Sequence, residues 1–149
     1  MEIEIAKLSE INAINQLIES SKRHWGYNDK VMNLWLPDLL ITTDNFSSLE
    51  IWVMKNKKVM GGVFSLSLMS EYIYELEDFW ISPSEMGKGF GQKMFQFIIN
   101  HLQNIKAKKL VIISDPNAEG FYKKMGASRV KLMESKPKDR MLPILELKI

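Results

Sequence analysis

Apolar and polar residues alternate near both ends of the chain and recur with helical spacing between them. Ile3 and Ile5 stand among Glu2 and Glu4, the period-two pattern of a strand. The period then changes: Ile11, Ile14, Leu17 and Ile18 line one helical face, with Ser9 placed to cap it. Gly26, inside the run His24-Trp25-Gly26-Tyr27, breaks that helix. A second short helix is predicted with Val31, Leu34 and Trp35 on one side, stopping near Pro37. Leu49 to Met54 alternates again and ends at the turn Lys55-Asn56-Lys57-Lys58. The return strand carries Met60, Gly62, Phe64, Leu66 and Leu68 on one face, and Gly61-Gly62 predicts a bulge or a close backbone approach.

The strand from Tyr72 to Ile81 changes pattern part-way, since Leu76 fits one face while Phe79 and Ile81 fit the other. An extra residue near Glu77-Asp78 accounts for the switch, as a bulge does, and would bend the strand from its neighbour. After Ser82-Pro83-Ser84-Glu85-Met86 come Gly87-Lys88-Gly89-Phe90-Gly91 and a helix with Phe90, Met94, Phe95, Ile98, Ile99 and Leu102 on one face. Leu110 to Ile113 is a short apolar run of parallel-sheet type. Strand, loop, helix and strand predict a βαβ unit with a right-handed crossover. Asp115-Pro116 reads as N-cap and first helical position of a short helix that ends at Gly126. Arg129 to Met133 and Leu145 to Ile149 are predicted strands, joined by a mobile segment from Ser135 to Arg140.

The glycines sit where a strand hands over to a helix N-terminus. Backbone N–H groups there lack intrahelical partners and the helix dipole presents its positive end. Glycine lets a phosphate approach such a backbone, and Lys88 adds a positive charge, so the loop reads as a pyrophosphate cradle. The competing reading is a glycine-rich turn with no ligand. A P-loop is excluded, because Ser82 and Gly89 stand where it needs Gly and Ser or Thr. A dinucleotide fingerprint is excluded too: the glycine spacing is wrong, and the region downstream is apolar where an acid is needed.

Composition narrows the picture further. With 149 residues the chain is expected to form one domain with a core of ordinary size. Its 20 basic and 18 acidic residues carry no nucleic-acid signature. The absence of cysteine removes disulfides, a thiolate nucleophile and the usual zinc sites, and agrees with a cytoplasmic location. No metal constellation is present. The first residues are unlike a signal peptide and no apolar run reaches membrane-span length, so no membrane partner is expected.

Leu76-Glu77-Asp78-Phe79-Trp80-Ile81-Ser82-Pro83, the glycine loop, Asp115-Pro116-Asn117-Ala118 and Phe121-Tyr122-Lys123-Lys124-Met125-Gly126-Ala127 together resemble the acyl-CoA core of the GCN5-related N-acetyltransferase (GNAT) family. The family's loop is Arg/Gln-x-x-Gly-x-Gly/Ala; Met86-Gly87-Lys88-Gly89-Phe90-Gly91 matches it except that Met86 replaces Arg or Gln. Ser21-Lys22-Arg23-His24-Trp25-Gly26-Tyr27 and Arg140-Met141-Leu142-Pro143 resemble elements of one branch of small bacterial-type members. The resemblance implies an α/β (α+β) fold with a mixed, mostly antiparallel sheet of about seven strands. The sheet would split into a V between the strand ending at Ile81 and the one beginning near Lys109, flanked by about four helices.

The implied activity is transfer of an acetyl group from acetyl-CoA to a primary amine of a small molecule or peptide, directly in a ternary complex. The alternative is a non-catalytic acyl-CoA-binding or regulatory module, and the implied assembly is a monomer or homodimer. Phe79, Trp80 and Ile81 would run beside the pantetheine, with the backbone of Phe79 and Ile81 pairing to it and an N–H near Phe79 facing the oxyanion. Met86, Gly87, Lys88, Gly89, Phe90 and Gly91 would hold the pyrophosphate, with Asn117, Phe121 and Tyr122 along the arm. Tyr122 stands where the family's general acid stands; by its residue type alone it is a half-buried helix tyrosine. Glu75 and Glu77 are the candidate bases, His24 a further one, and each has a structural alternative. Trp25, Tyr27 and Trp35 are core or cap aromatics, or contacts for the acceptor.

Overall fold

Each change of hydrophobic period becomes a change of element in the structure, a computed structural model that describes residues Met1–Ile149. The chain divides into two compact units, Met1–Leu66 with Asp78–Met94, and Ser67–Glu77 with Phe95–Ile149. One seven-stranded sheet, in the order β1-β2-β3-β4-β5-β7-β6, runs through the fold. No helix is long and apolar enough to cross a membrane.

In the first unit, β1 (Glu2–Ile5) pairs antiparallel with β2 (Glu50–Asn56), which pairs antiparallel with β3 (Val59–Ser70). Lys57 and Lys58 turn the β2–β3 hairpin at φ 52° and 68°, a left-handed pair of the kind two-residue hairpins favour. Helices α1 (Ile11–Arg23), α2 (Asp29–Leu39) and the single turn α3 (Asn45–Ser48) lie between β1 and β2 in sequence. Ile14, Leu17 and Ile18 of α1 bury against Ile51, Val53 and Val63 of the sheet. Asn15 ties the stretch after α2 to α1: its side-chain amide both donates to Ile41 O and accepts from Ile41 N–H, each at 2.8 Å.

Three details differ from the sequence reading. Ser9 does not cap α1; it lies in a tight 3-10 turn, Leu8–Glu10, where Glu10 accepts the Lys7 N–H at 2.9 Å. The helix α2 passes through Pro37 to Leu39, because one missing N–H removes one bond and Leu40 N–H still reaches Leu36 O at 3.2 Å. Its inward face is also not Val31-Leu34-Trp35: Met32 is fully buried while Leu34 is exposed.

Both readings of Gly61-Gly62 are realised. The β2–β3 register jumps from Met54↔Gly62 to Lys55↔Met60, leaving Gly61 as the extra residue. At Gly62 a Cβ would lie 2.9 Å from Met94 Sδ and 3.2 Å from Ile81 Cδ1, so only glycine admits that approach.

The strand β4 (Ile73–Ile81) follows β3 through a tight turn in which Tyr72 has φ 66°. Ser65 and Ser67 are two apart on β3 and share a face, yet they donate to Asp78 (2.5 Å) and Glu77 (2.8 Å), which are adjacent on β4. Neighbours on a regular strand point to opposite faces, so the extra residue lies at Glu77-Asp78, as the pattern switch predicted.

The second unit contains most of α4 (Phe90–Asn104), β5 (Lys109–Ile113), α5 (Glu119–Lys124), β6 (Ser128–Glu134) and β7 (Met141–Lys148). Phe95, Ile98 and Leu102 of α4 and Leu110 and Ile112 of β5 are buried, the predicted faces of both elements. The strand β5 is parallel to β4 over Ile73–Leu76 and Lys109–Ile112, while β4 itself runs on to Ile81. β7 lies antiparallel between β5 and β6 and begins four positions before the predicted Leu145. Pro143 lies in that earlier stretch. Its missing donor falls just past the last β5 rung, Ile113↔Ile144, where its carbonyl still accepts from Ser114 N–H at 2.9 Å. Gly126 ends α5 at φ 106°, as predicted.

Candidate active site

The glycine loop bridges a 3-10 turn, Pro83–Glu85, and the first turn of α4. Gly87 and Gly89 adopt φ 76° and 81°, where an L side chain is strained. A Cβ at either would meet nothing within 4 Å, so the outer side of this backbone is open. Phe90 is buried and anchors the loop, whereas Lys88 is exposed, 3.6 Å from Glu85. Ser82 N–H donates to Gly61 O at 2.9 Å, tying the loop's entrance to β3. Met86 is half-buried with extended backbone, and Gly91 lies in the first turn of α4. The open, left-handed glycines ahead of a helix N-terminus fit an anionic diphosphate.

Phe79, Trp80 and Ile81, the last residues of β4, are half-buried. Trp80 Nε1 donates to Asp78 Oδ1 at 3.2 Å, and the other oxygen of Asp78 receives the Ser65 hydroxyl. On the same side of the first unit lies a feature that sequence reasoning missed. Lys22 is 6% exposed, and its ammonium sits 5.1, 4.5 and 5.8 Å from the ring centres of Tyr27, Trp35 and Trp80. Such placement over aromatic faces stabilises a cation by about 0.5–2 kcal/mol per site and offsets part of its lost hydration. His24 and Trp25 remain exposed, their rings 5.9 Å apart. The only sequence signal for the cage was the clustering of Lys22 with aromatic residues.

In the second unit Glu75 is half-buried, and its carboxyl is pushed up to about 7. Burial is the main cause, followed by the charge of Glu77 and a hydrogen bond with it. Glu77 is exposed and accepts the Ser67 hydroxyl. The structure thus brings the two candidate carboxylates together, Glu75 half-buried with its carboxyl pushed up and Glu77 exposed.

Tyr122 is 6% exposed, more deeply placed than a half-buried helix tyrosine. Its ring lies 5.8 Å from Phe95 and 5.4 Å from Phe121, which fixes the phenol's direction. Asn117 is exposed at the turn before α5. Asp115 accepts both its backbone N–H (2.8 Å) and its side-chain Nδ2 (3.0 Å), and takes a third bond from Arg140 Nη2 at 3.2 Å. Sequence reading gave Asp115 only a capping role and Arg140 a place in a motif; their pairing across 25 residues carried no local signal. The 135–140 segment is a closed turn, with Ser135 N–H donating to Arg140 O at 2.9 Å.

A seven-stranded mixed sheet of this order, with helices between its strands and a glycine loop leading into α4, defines an α/β fold. The model of the acetyltransferase (GNAT) family matches residues 11–127, and the chain belongs to that family. Solved structures share the fold at low identity. The PaiA N-acetyltransferase of Thermoplasma acidophilum, in complex with coenzyme A, superposes with TM-score 0.74 at 15% identity over 100% of both chains. A GCN5-related N-acetyltransferase from Rhodopseudomonas palustris gives TM-score 0.79 at 12% identity, covering 99% of this chain and 95% of that one. The ribosomal-protein-S18-alanine N-acetyltransferase of Escherichia coli gives 0.76 at 12%, over 99% and 93%. No curated protein matches the sequence.

Proposed function

We propose that this chain is an N-acetyltransferase that moves an acetyl group from acetyl-CoA to a primary amine, directly in a ternary complex. The observation that carries the reading is the loop at the start of α4, with Gly87 and Gly89 left-handed and open to a ligand. Coenzyme A in the PaiA complex from Thermoplasma acidophilum supports it by family likeness. Acetyl-CoA supplies the thioester. Met86 to Gly91 grip its pyrophosphate, the Phe79 to Ile81 backbone pairs with the pantetheine as an added strand, and Asn117 and Phe121 flank that arm.

Glu75 takes the proton that the acceptor amine must lose to become a nucleophile. Its carboxyl near 7 makes it a competent base at neutral pH, held high by its burial first and by the nearby Glu77 second. As the C–N bond forms and the C–S bond breaks, Tyr122 gives its phenolic proton to the departing thiolate. Met86, at the loop position where the family carries Arg or Gln, favours a second reading, a non-catalytic acyl-CoA-binding module. The test is a melting scan with acetyl-CoA, CoA, ATP and NAD, followed by an amine panel with free-thiol detection. Stabilisation of about 2.7 kcal/mol is expected at ~100 times the dissociation constant, for both CoA species. No shift with either CoA species at millimolar concentration overturns the cofactor assignment; a shift without thiol release from any amine favours the binding module.

A further inference from the structure

A chain of polar contacts runs from the 135–140 turn to the side chain of Asn117. Ser114 closes β5, its hydroxyl donating to Asp115 O at 2.6 Å. The Asp115 carboxylate is then held on both oxygens: Oδ1 by the backbone and side-chain amides of Asn117, Oδ2 by Arg140 Nη2. Arg140 itself donates from Nη1 to Ser135 Oγ at 3.2 Å, and the Ser135–Arg140 backbone bond closes the turn behind it. The Arg140 and Asp115 side chains are only 15% and 10% exposed.

An ion pair this far from water stabilises little by charge alone, since desolvation offsets most of the attraction. Its directed hydrogen bonds restrict geometry instead. A carboxylate gripped on both oxygens cannot turn without breaking one set of bonds, so the Asn117 amide loses its rotational freedom as well. We infer that Arg140 is a positioning residue that acts through Asp115 to pre-orient Asn117 for the pantetheine arm. The inference rests on the acyl-CoA reading above. Pre-orientation lowers the ordering cost of binding, so its loss appears in affinity for the arm and not for the nucleotide end.

The experiment compares two ligands, acetyl-CoA and the adenosine bisphosphate half of the cofactor, which lacks the pantetheine. Binding is measured by calorimetry for the wild-type chain, Arg140→Ala, Arg140→Lys, Asn117→Ala and the Arg140→Ala/Asn117→Ala pair. Arg140→Ala should weaken acetyl-CoA about tenfold, as loss of one charged hydrogen-bond partner does, and leave the bisphosphate unchanged. In the Asn117→Ala background the same change should cost nothing further, because the two act as one unit. Arg140→Lys should fall between, since an ammonium cannot reproduce the planar fork. Equal loss for both ligands, no loss for either, or full additivity in the double variant overturns the inference. If Arg140→Ala does not fold, Arg140→Lys and Asp115→Asn carry the same two-ligand comparison. Wild-type protein that binds neither ligand overturns the acyl-CoA reading itself, a result distinct from all of these.

Discussion

Tyr122→Phe separates mechanism from packing because it removes one oxygen and keeps the ring. The ring is what the structure uses for packing: it is 6% exposed and set against Phe95 and Phe121. The variant therefore keeps that packing, and each hydrogen bond lost with the hydroxyl costs about 0.5–1.5 kcal/mol. For a domain of about this length, one such bond is worth a drop of up to ~6 °C in melting temperature. Tyr122→Ala, by contrast, empties the ring's place and costs ~3–5 kcal/mol, so it cannot serve as the test. Loss of a positioned acid costs ~10²–10⁴-fold in rate, or at least ~10-fold where water substitutes. Even the lower bound is ~1.4 kcal/mol of barrier, and it is visible in turnover while the fold stays intact. The assay pairs a thermal scan with initial rates of thiol release on the same preparation, at a temperature below both transitions. The KM for acetyl-CoA should hold, since the hydroxyl acts on the leaving sulfur. A lower melting temperature with wild-type turnover per folded molecule would refute the assignment and leave Tyr122 as a packing residue.

Three further outcomes follow from the same structure. Gly89→Ala introduces only left-handed strain, about 1–2 kcal/mol at φ 81°, whereas Gly89→Glu adds a negative charge against the phosphates; the first should retain CoA-dependent stabilisation and the second should lose it in a melting scan. With its carboxyl at about 7, Glu75 should make the rate rise through neutrality and level off above it, and Glu75→Gln should flatten that limb. The sign for stability is opposite: the folded chain binds the Glu75 proton more tightly than the unfolded chain does. The wild type therefore loses stability relative to Glu75→Gln as pH rises from about 4.5 to about 7, by differential scanning across that range. A melting difference that does not change between those pH values refutes the raised carboxyl.

Elements whose pattern is local were legible in the sequence, and those set by distant partners were not. The apolar face of α4, the parallel run of β5 and the Gly126 stop each depend on neighbours within one or two turns, and each formed as read. The face switch in β4 was legible for the same reason, although what it aligns, Ser65 with Asp78 and Ser67 with Glu77, was not. Pro37 and Pro143 both lie inside regular elements. A proline costs one donor, and in α2 the remaining bonds carried the helix past it; in β7 the lost donor lay beyond the end of β5. The candidate site divides along the same line. The loop is contiguous and readable, while the raised carboxyl of Glu75 needs burial, and the Asp115–Arg140 pair needs a fold to bring it together.

The aromatic element around Gly26 shows how a packing requirement can sort a motif. Ser21 and Lys22 are buried at the end of α1, and an ammonium at that depth needs compensation. Tyr27 and Trp35 supply part of it, meeting edge-to-face at 4.7 Å with Lys22 over both rings. Gly26, at φ 85° three residues past the end of α1, lets the chain reverse so that Tyr27 can return over Lys22. Trp80, from β4, closes the third side and is itself held by Asp78. The sequence left Trp25, Tyr27 and Trp35 equally open to core packing or acceptor contact. With Tyr27 and Trp35 committed to the buried lysine, the rings of this element that still face outward are His24 and Trp25.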